Sequence, residues 1–108
     1  MKYTDRTRMI ETIKVGDWTV EKSVFDEYIK YQKEAMEYML GRKKTPSGTA
    51  TEGFIETDKC LVKGISLINK TMTQLGITES YKENSDSEKF KHAFRVKAEL
   101  IETGKVKL

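Results

Sequence analysis

One cysteine, one histidine, one tryptophan and one proline stand among the 108 residues. A lone Cys60 rules out an internal disulfide, and that usage fits a reducing compartment. Cys60 and His92 together cannot furnish a zinc site of the cysteine–histidine kind. No apolar run approaches the ~20 residues that a bilayer-spanning helix needs. Residues 1–17 alternate charge and hydroxyl with isolated apolar side chains, so they lack the apolar stretch of a secretory signal. The expected location is therefore the cytoplasm, with no membrane association. A Walker loop, G-x-G-x-x-G, H-E-x-x-H and C-x-x-C are all missing. Gly48 and Gly53 are spaced like a phosphate loop, but the basic residues precede them instead of following. The expectation is a non-enzymatic chain without cofactor or metal.

What is abundant is charge. Charged residues make up 34% and hydrophobic ones 37%, with 20 basic against 17 acidic and a net charge of +3. Near-cancellation and periodic apolar residues argue against disorder. The length suits a single domain over residues 1–108, and a chain this size buries roughly two thirds of its extended surface. Its core is modest, which leaves room for a partner to complete it.

Residues 8–22 read as a β-hairpin. Met9, Thr12 and Ile13 suit a strand, Gly16 and Asp17 a turn, and Trp18, Thr19 and Val20 the return. A lone hairpin is marginal in water and has to lean on helices. Helix one is expected over residues 23–40, with Ser23 and Asp26 as a shortened capping box and Gly41 as the stop. Its apolar positions span roughly 200° of the wheel. Asp26, Lys30 and Glu34, and Lys33 with Glu37, make i,i+4 pairs on the remainder. Residues 42–53, punctuated by Pro46, Gly48 and Gly53, form a long flexible loop.

Helix two is expected over residues 58–75, with Thr57 as N-cap and Gly76 as the stop. Leu61, Ile65, Ile68, Met72 and Leu75 repeat at intervals of four and three and predict a buried seam. Gly64 weakens a helix interior by about 1 kcal/mol and signals the close approach of another element. Ser85 and Glu88 form a second capping signature, opening a third helix over residues 86–103 that stops at Gly104. The expected fold is mainly α: a three-helix, bundle-like single domain with a short N-terminal β-hairpin, or small α+β.

Two functional readings follow. The first is a protein-interaction module (a regulator, inhibitor or assembly component, self-associating in one version), with Tyr28, Tyr31, Tyr38, Met36, Gln32 and Lys97 as interface candidates. Tyrosine and methionine are enriched at interface cores. Gln32 and Lys97 are polar intrusions into apolar arcs. Burial of Tyr31 and Tyr38 under the hairpin is the competing account of the aromatic flank. The second reading is nucleic-acid binding. Lys59, Lys63 and Lys70 share a face of helix two with Ser66, Thr73 and Gln74, beside Arg42, Lys43 and Lys44, with Arg6 and Arg8 in an N-terminal arm. Such side chains meet phosphates, sugars or base edges, although a solvated helix face has the same composition. Cys60 is expected to be a plain buried thiol; its placement in the first turn of helix two allows some thiolate character. His92 is expected on the exposed face of helix three, and Glu52 and Glu56 lie in or beside the loop without a sign of convergence.

Overall fold

The computed structural model describes residues 10–105. Arg6, Arg8 and Met9, and Val106, Lys107 and Leu108 at the C-terminal end, lie outside the described residues.

Strands β1 (Thr12–Val15) and β2 (Trp18–Glu21) pair antiparallel, with Thr12 opposite Glu21 and Val15 opposite Trp18. Gly16, at φ +60°, opens the two-residue turn, the left-handed conformation that tight hairpins place at this position. Val15 and Val20 point into the core. The hairpin leads without a linker into α1 (Lys22–Met39). That start corrects the assignment of Ser23 as N-cap: Glu21 holds the position, makes no side-chain cap bond, and donates its role to strand geometry, because the chain leaves β2 already extended.

Helix α2 spans Ala50–Leu75, eight residues longer at its start than the sequence periodicity suggested. The true N-cap is Thr49, whose Oγ1 accepts the Glu52 amide at 3.2 Å. Glu52 reaches back past the cap to accept the Ser47 amide at 2.7 Å and the Ser47 hydroxyl at 2.8 Å, an extended capping box. Residues 50–53 are therefore helix rather than loop. Thr57 is not a cap but a buried helical residue. Its hydroxyl donates to the Gly53 carbonyl at 2.9 Å and lies 3.4 Å from that of Ala35. Helix α3 (Asp86–Glu102) opens as read, with Ser85 Oγ accepting the Glu88 amide.

The core gathers at one end. It joins Val15 and Val20 of the hairpin, Phe25, Tyr28 and Ile29 of α1, Ile68 and Met72 of α2, and Phe90, Phe94 and Ala98 of α3. Phe25 stacks on Phe94 with centroids 4.4 Å apart, Tyr28 meets Phe94 edge-on at 5.0 Å, and Trp18 meets Phe90 edge-on at 5.5 Å. Between Ile29 and Leu67 no hydrophobic side chain belongs to this cluster or packs against it; α2 meets it there through Gly64, against the Tyr28 ring. The remainder of α1 and the first half of α2 form an arm, paired with each other and met on the α1 side by the end of α3, where Glu102 lines a groove with Gln32, Met36 and Arg42. The radius of gyration, 16.6 Å, exceeds the ~13 Å of a compact chain of this length.

Along the arm the two helices meet through small residues. A Cβ on Gly64 would lie 3.3 Å from the Tyr28 ring, and Ala35, Thr57 and Cys60 are buried. The expected seam is thus displaced around α2: Gly64 and Cys60 face α1, whereas Ile65 is 49% exposed.

The α2–α3 connection is fastened by polar contacts. Glu79 accepts from the fully buried Ser87 hydroxyl at 2.9 Å and from Lys91 Nζ at 2.6 Å. Lys91, and then Ser87, hold the Glu79 carboxyl below the usual 4.5.

Gly64→Leu is expected to lower unfolding stability by about 2 kcal/mol, because Tyr28 is fixed against Phe94 and cannot yield. Ser66→Leu, on the exposed side of the same helix, should stay within about 0.5 kcal/mol; urea titrations of both variants check the pair. Glu79 has a depressed folded-state pKa, so its contribution is complete above pH 4.5 and is lost as the pH falls below that value. Glu79→Gln should flatten the stability profile below pH 4.5 relative to the parent, as followed by denaturant midpoints across an acid series.

Candidate interaction surface

The outstanding surface feature is apolar and lies on the arm. On α1, Met36 is 48% exposed, Met39 51% and, just past the helix end, Leu40 53%; on α2, Phe54 is 60% exposed, Ile55 49% and Val62 58%, with Ile65 beyond them. Their spacing explains the pattern. Phe54, Leu61, Ile65, Ile68 and Met72 follow one another at seven, four, three and four residues, which keeps them along one side of α2. In the half near the core, Ile68 and Met72 are covered. Towards the tip, α3 no longer reaches, and the same side opens to solvent. On α1 the equivalent side runs from Phe25 and Ile29, which are buried, to Met36 and Leu40, which are not. Met39 and Phe54 line a common depression at the tip of the arm.

The six interface candidates divide. Met36 belongs to this face. Tyr28 does not: it is only 8% exposed and packs between Phe94 and Gly64, so it is a core residue. Tyr31 and Tyr38 are half-buried against α2 on the other flank of the arm, not under the hairpin, which sits at the far end of α1. Tyr31 donates to Glu27, Lys63 lies over its ring at 5.6 Å, and Lys43 lies over that of Tyr38 at 5.2 Å. Gln32 is half-buried beside Gly64 and lines a groove with Met36 and Glu102. Lys97 is half-buried on α3, without a salt bridge among the described residues.

Three of the six described basic candidates are bridged to carboxylates. Arg42 bridges to Glu37 at 3.3 Å, Lys43 to Glu34 at 3.4 Å, and Lys59 to Glu56 at 3.0 Å. Lys44, Lys63 and Lys70 have no salt bridge among the described residues. Gln74 is exposed on α2, as are Ser66 and Thr73. The strip therefore exists as a face, with Glu56 as an acid one turn before Lys59 that diminishes its field.

Cys60 is buried, and its thiol donates to Glu34 Oε1 at 3.4 Å. Burial first, then the Glu34 carboxylate, push the thiol pKa up. The first-turn thiolate reading falls with the corrected start of α2, since Cys60 lies ten residues inside the helix, beyond the reach of its dipole. The same bond, followed by that from Lys43, holds Glu34 below its usual value. His92 is exposed on α3. Among the described residues no group of three or more histidine, cysteine, aspartate or glutamate side chains could hold a metal ion. No helix among them is long and apolar enough to cross a membrane. A groove between α1 and the end of α3 is lined by charges of both signs, with Asp26, Glu34, Glu37 and Glu102 among Lys30, Lys33 and Lys43.

The periodicity that nominated Ile65 as buried left Phe54, Ile55, Val62, Met39 and Leu40 out of the candidate surface. The signal that could have found Phe54 and Ile55 is Thr49-x-x-Glu52, which starts the helix early and brings Phe54 into register with Leu61 and Ile65. Compared with known proteins, the chain matches no protein-family model, no curated protein and no solved structure.

Iodoacetamide should modify Cys60 much more slowly in the folded chain than in denaturant at the same pH. Glu34→Gln, which removes the second cause of the raised pKa, should speed the native reaction only modestly because burial persists; intact mass spectrometry over time reads both rates.

Proposed function

We propose that the chain is a protein-interaction module, a regulatory or assembly component that works by contact and not by catalysis, with the outer half of the α1–α2 arm as its contact surface. The observation that carries the reading is the set of apolar side chains left half-exposed along the arm, Met36, Met39 and Leu40 on α1 and Phe54, Ile55, Val62 and Ile65 on α2, with Met39 and Phe54 sharing a depression at its tip. Exposed apolar area on this scale marks docking surfaces in soluble proteins. Methionine and phenylalanine are the side chains that adapt to and fill a partner's pockets. A reducing, cytoplasmic setting suits the reading, since Cys60 is retained there as a thiol.

Nucleic-acid binding receives less support. Arg42, Lys43 and Lys59 are already paired with carboxylates, and releasing them to phosphates would forfeit those bonds. The aromatic rings on the same flank, Tyr31 and Tyr38, carry lysines over their faces, where bases would have to stack.

A photo-activated cross-linker placed at position 54 or 62 is expected to give discrete protein adducts in the chain's native extract. The same group at His92 should give none. Ile65→Lys should abolish the adducts while leaving the circular dichroism unchanged. Adducts of equal pattern from position 92, or none from either face, would remove the proposal.

A further inference from the structure

We infer that the occupant of this face is a second copy of the chain, the two arms packing side by side as a four-helix bundle about a two-fold axis. The inference rests on the docking role proposed for the arm and goes beyond it by naming what docks.

The area suits such a pairing. Seven large apolar side chains of the arm are about half-exposed, a set of the size that an interface of ~800 Å² per partner draws on.

The shape suits it as well. Met36 and Met39 on α1 and Phe54 and Ile65 on α2 flank the seam of two antiparallel helices, while Ile55 and Val62 continue round the side of α2 turned away from α1, so one further helix would leave part of the face bare. A second arm supplies two helices of the same length with the same surface, which is the self-complementary arrangement of a two-fold interface.

The charges agree. Lys33 borders the α1 side beside Met36, and Asp58 is exposed on the α2 side, between Ile55 and Val62 at helical spacing. Neither has a salt bridge among the described residues. A two-fold axis that lays α1 of one copy on α2 of the other brings each Lys33 towards an Asp58, twice. A lipid surface suits the face less well. The exposed apolar residues of α2 run from Phe54 to Ile65, about 16 Å of helix, and two of the three basic residues at the tip, Arg42 and Lys43, are already bridged to carboxylates.

Sedimentation equilibrium of the full chain from about 1 to 500 μM tests the inference through mass action. The expected result is a shift from one to two chains, with Ile65→Lys and Asp58→Lys each weakening association at least ~10-fold. Lys33→Asp combined with Asp58→Lys should recover part of the loss, and His92→Glu, off the face, should leave it unchanged. Circular dichroism of each variant separates lost association from lost folding. A single-chain mass at every concentration, or a dimer indifferent to both face substitutions, overturns the inference. If the monomer still gives adducts to another protein from position 54, only the second copy is removed. A monomer without such adducts removes the docking role too. Co-sedimentation of a strict monomer with phosphatidylserine vesicles would assign the face to lipid and likewise overturn it.

Discussion

Phe94 is the contact on which the other elements depend. Phe25 of α1 lies flat against it and Tyr28 meets it edge-on. Phe90, one turn earlier on α3, carries Trp18 of the hairpin. Tyr28 then serves as the floor against which Gly64 of α2 settles. Four segments from different parts of the sequence are thereby joined through two adjacent phenylalanines. Aromatic rings bury much area for few ordered torsions, which is how a chain with few apolar residues closes a core. The same economy limits its reach, since a cluster built around one turn of α3 cannot extend along the whole length of α1 and α2.

Beyond that cluster the arm is held by a different kind of contact. Ala35, Thr57, Cys60 and Gly64 are small, and they bring the helices together with little apolar burial. Their polar atoms are satisfied locally, Thr57 by backbone carbonyls and Cys60 by Glu34, as buried polar groups require. Large apolar side chains are displaced to the side, where they do not contribute to pairing. Pairing within the arm and the surface it offers outward are therefore carried by different residues, so Ile65 and Phe54 can be altered without opening the contact at Gly64.

The hairpin, the limits of α3 and the stops at Gly41, Gly76 and Gly104 were legible from alternation, capping and glycine alone; each is a local property. The start of α2 was hidden because Pro46, Gly48 and Gly53 resemble a loop, and because Thr57 has the side chain of a cap. A threonine inside a helix bonds the preceding turn's carbonyl instead, and nothing local distinguishes the two uses. The periodicity of Leu61, Ile65, Ile68 and Met72 was real, yet a period identifies a side of a helix and not how much of it a neighbour covers. That depends on where α3 ends, a fact of assembly. Tyr28 was misplaced on the surface for the same reason, since its burial comes from Phe94, 66 positions away in the chain.

An arm outside the core also divides the molecule's cooperativity. Residues fastened around Phe94 open only when the whole chain unfolds, whereas Ala35, Tyr38 and Thr57 are held by helix pairing and by the cap at Thr49 and Glu52. Their amides should therefore form a separate unit of lower opening energy, with hydrogen exchange expected to proceed by fraying of the arm from its tip. Whatever covers the apolar face contributes its binding energy to that unit first. Occupancy is then readable as slowed exchange in the outer half of α1 and α2, with the core amides unchanged.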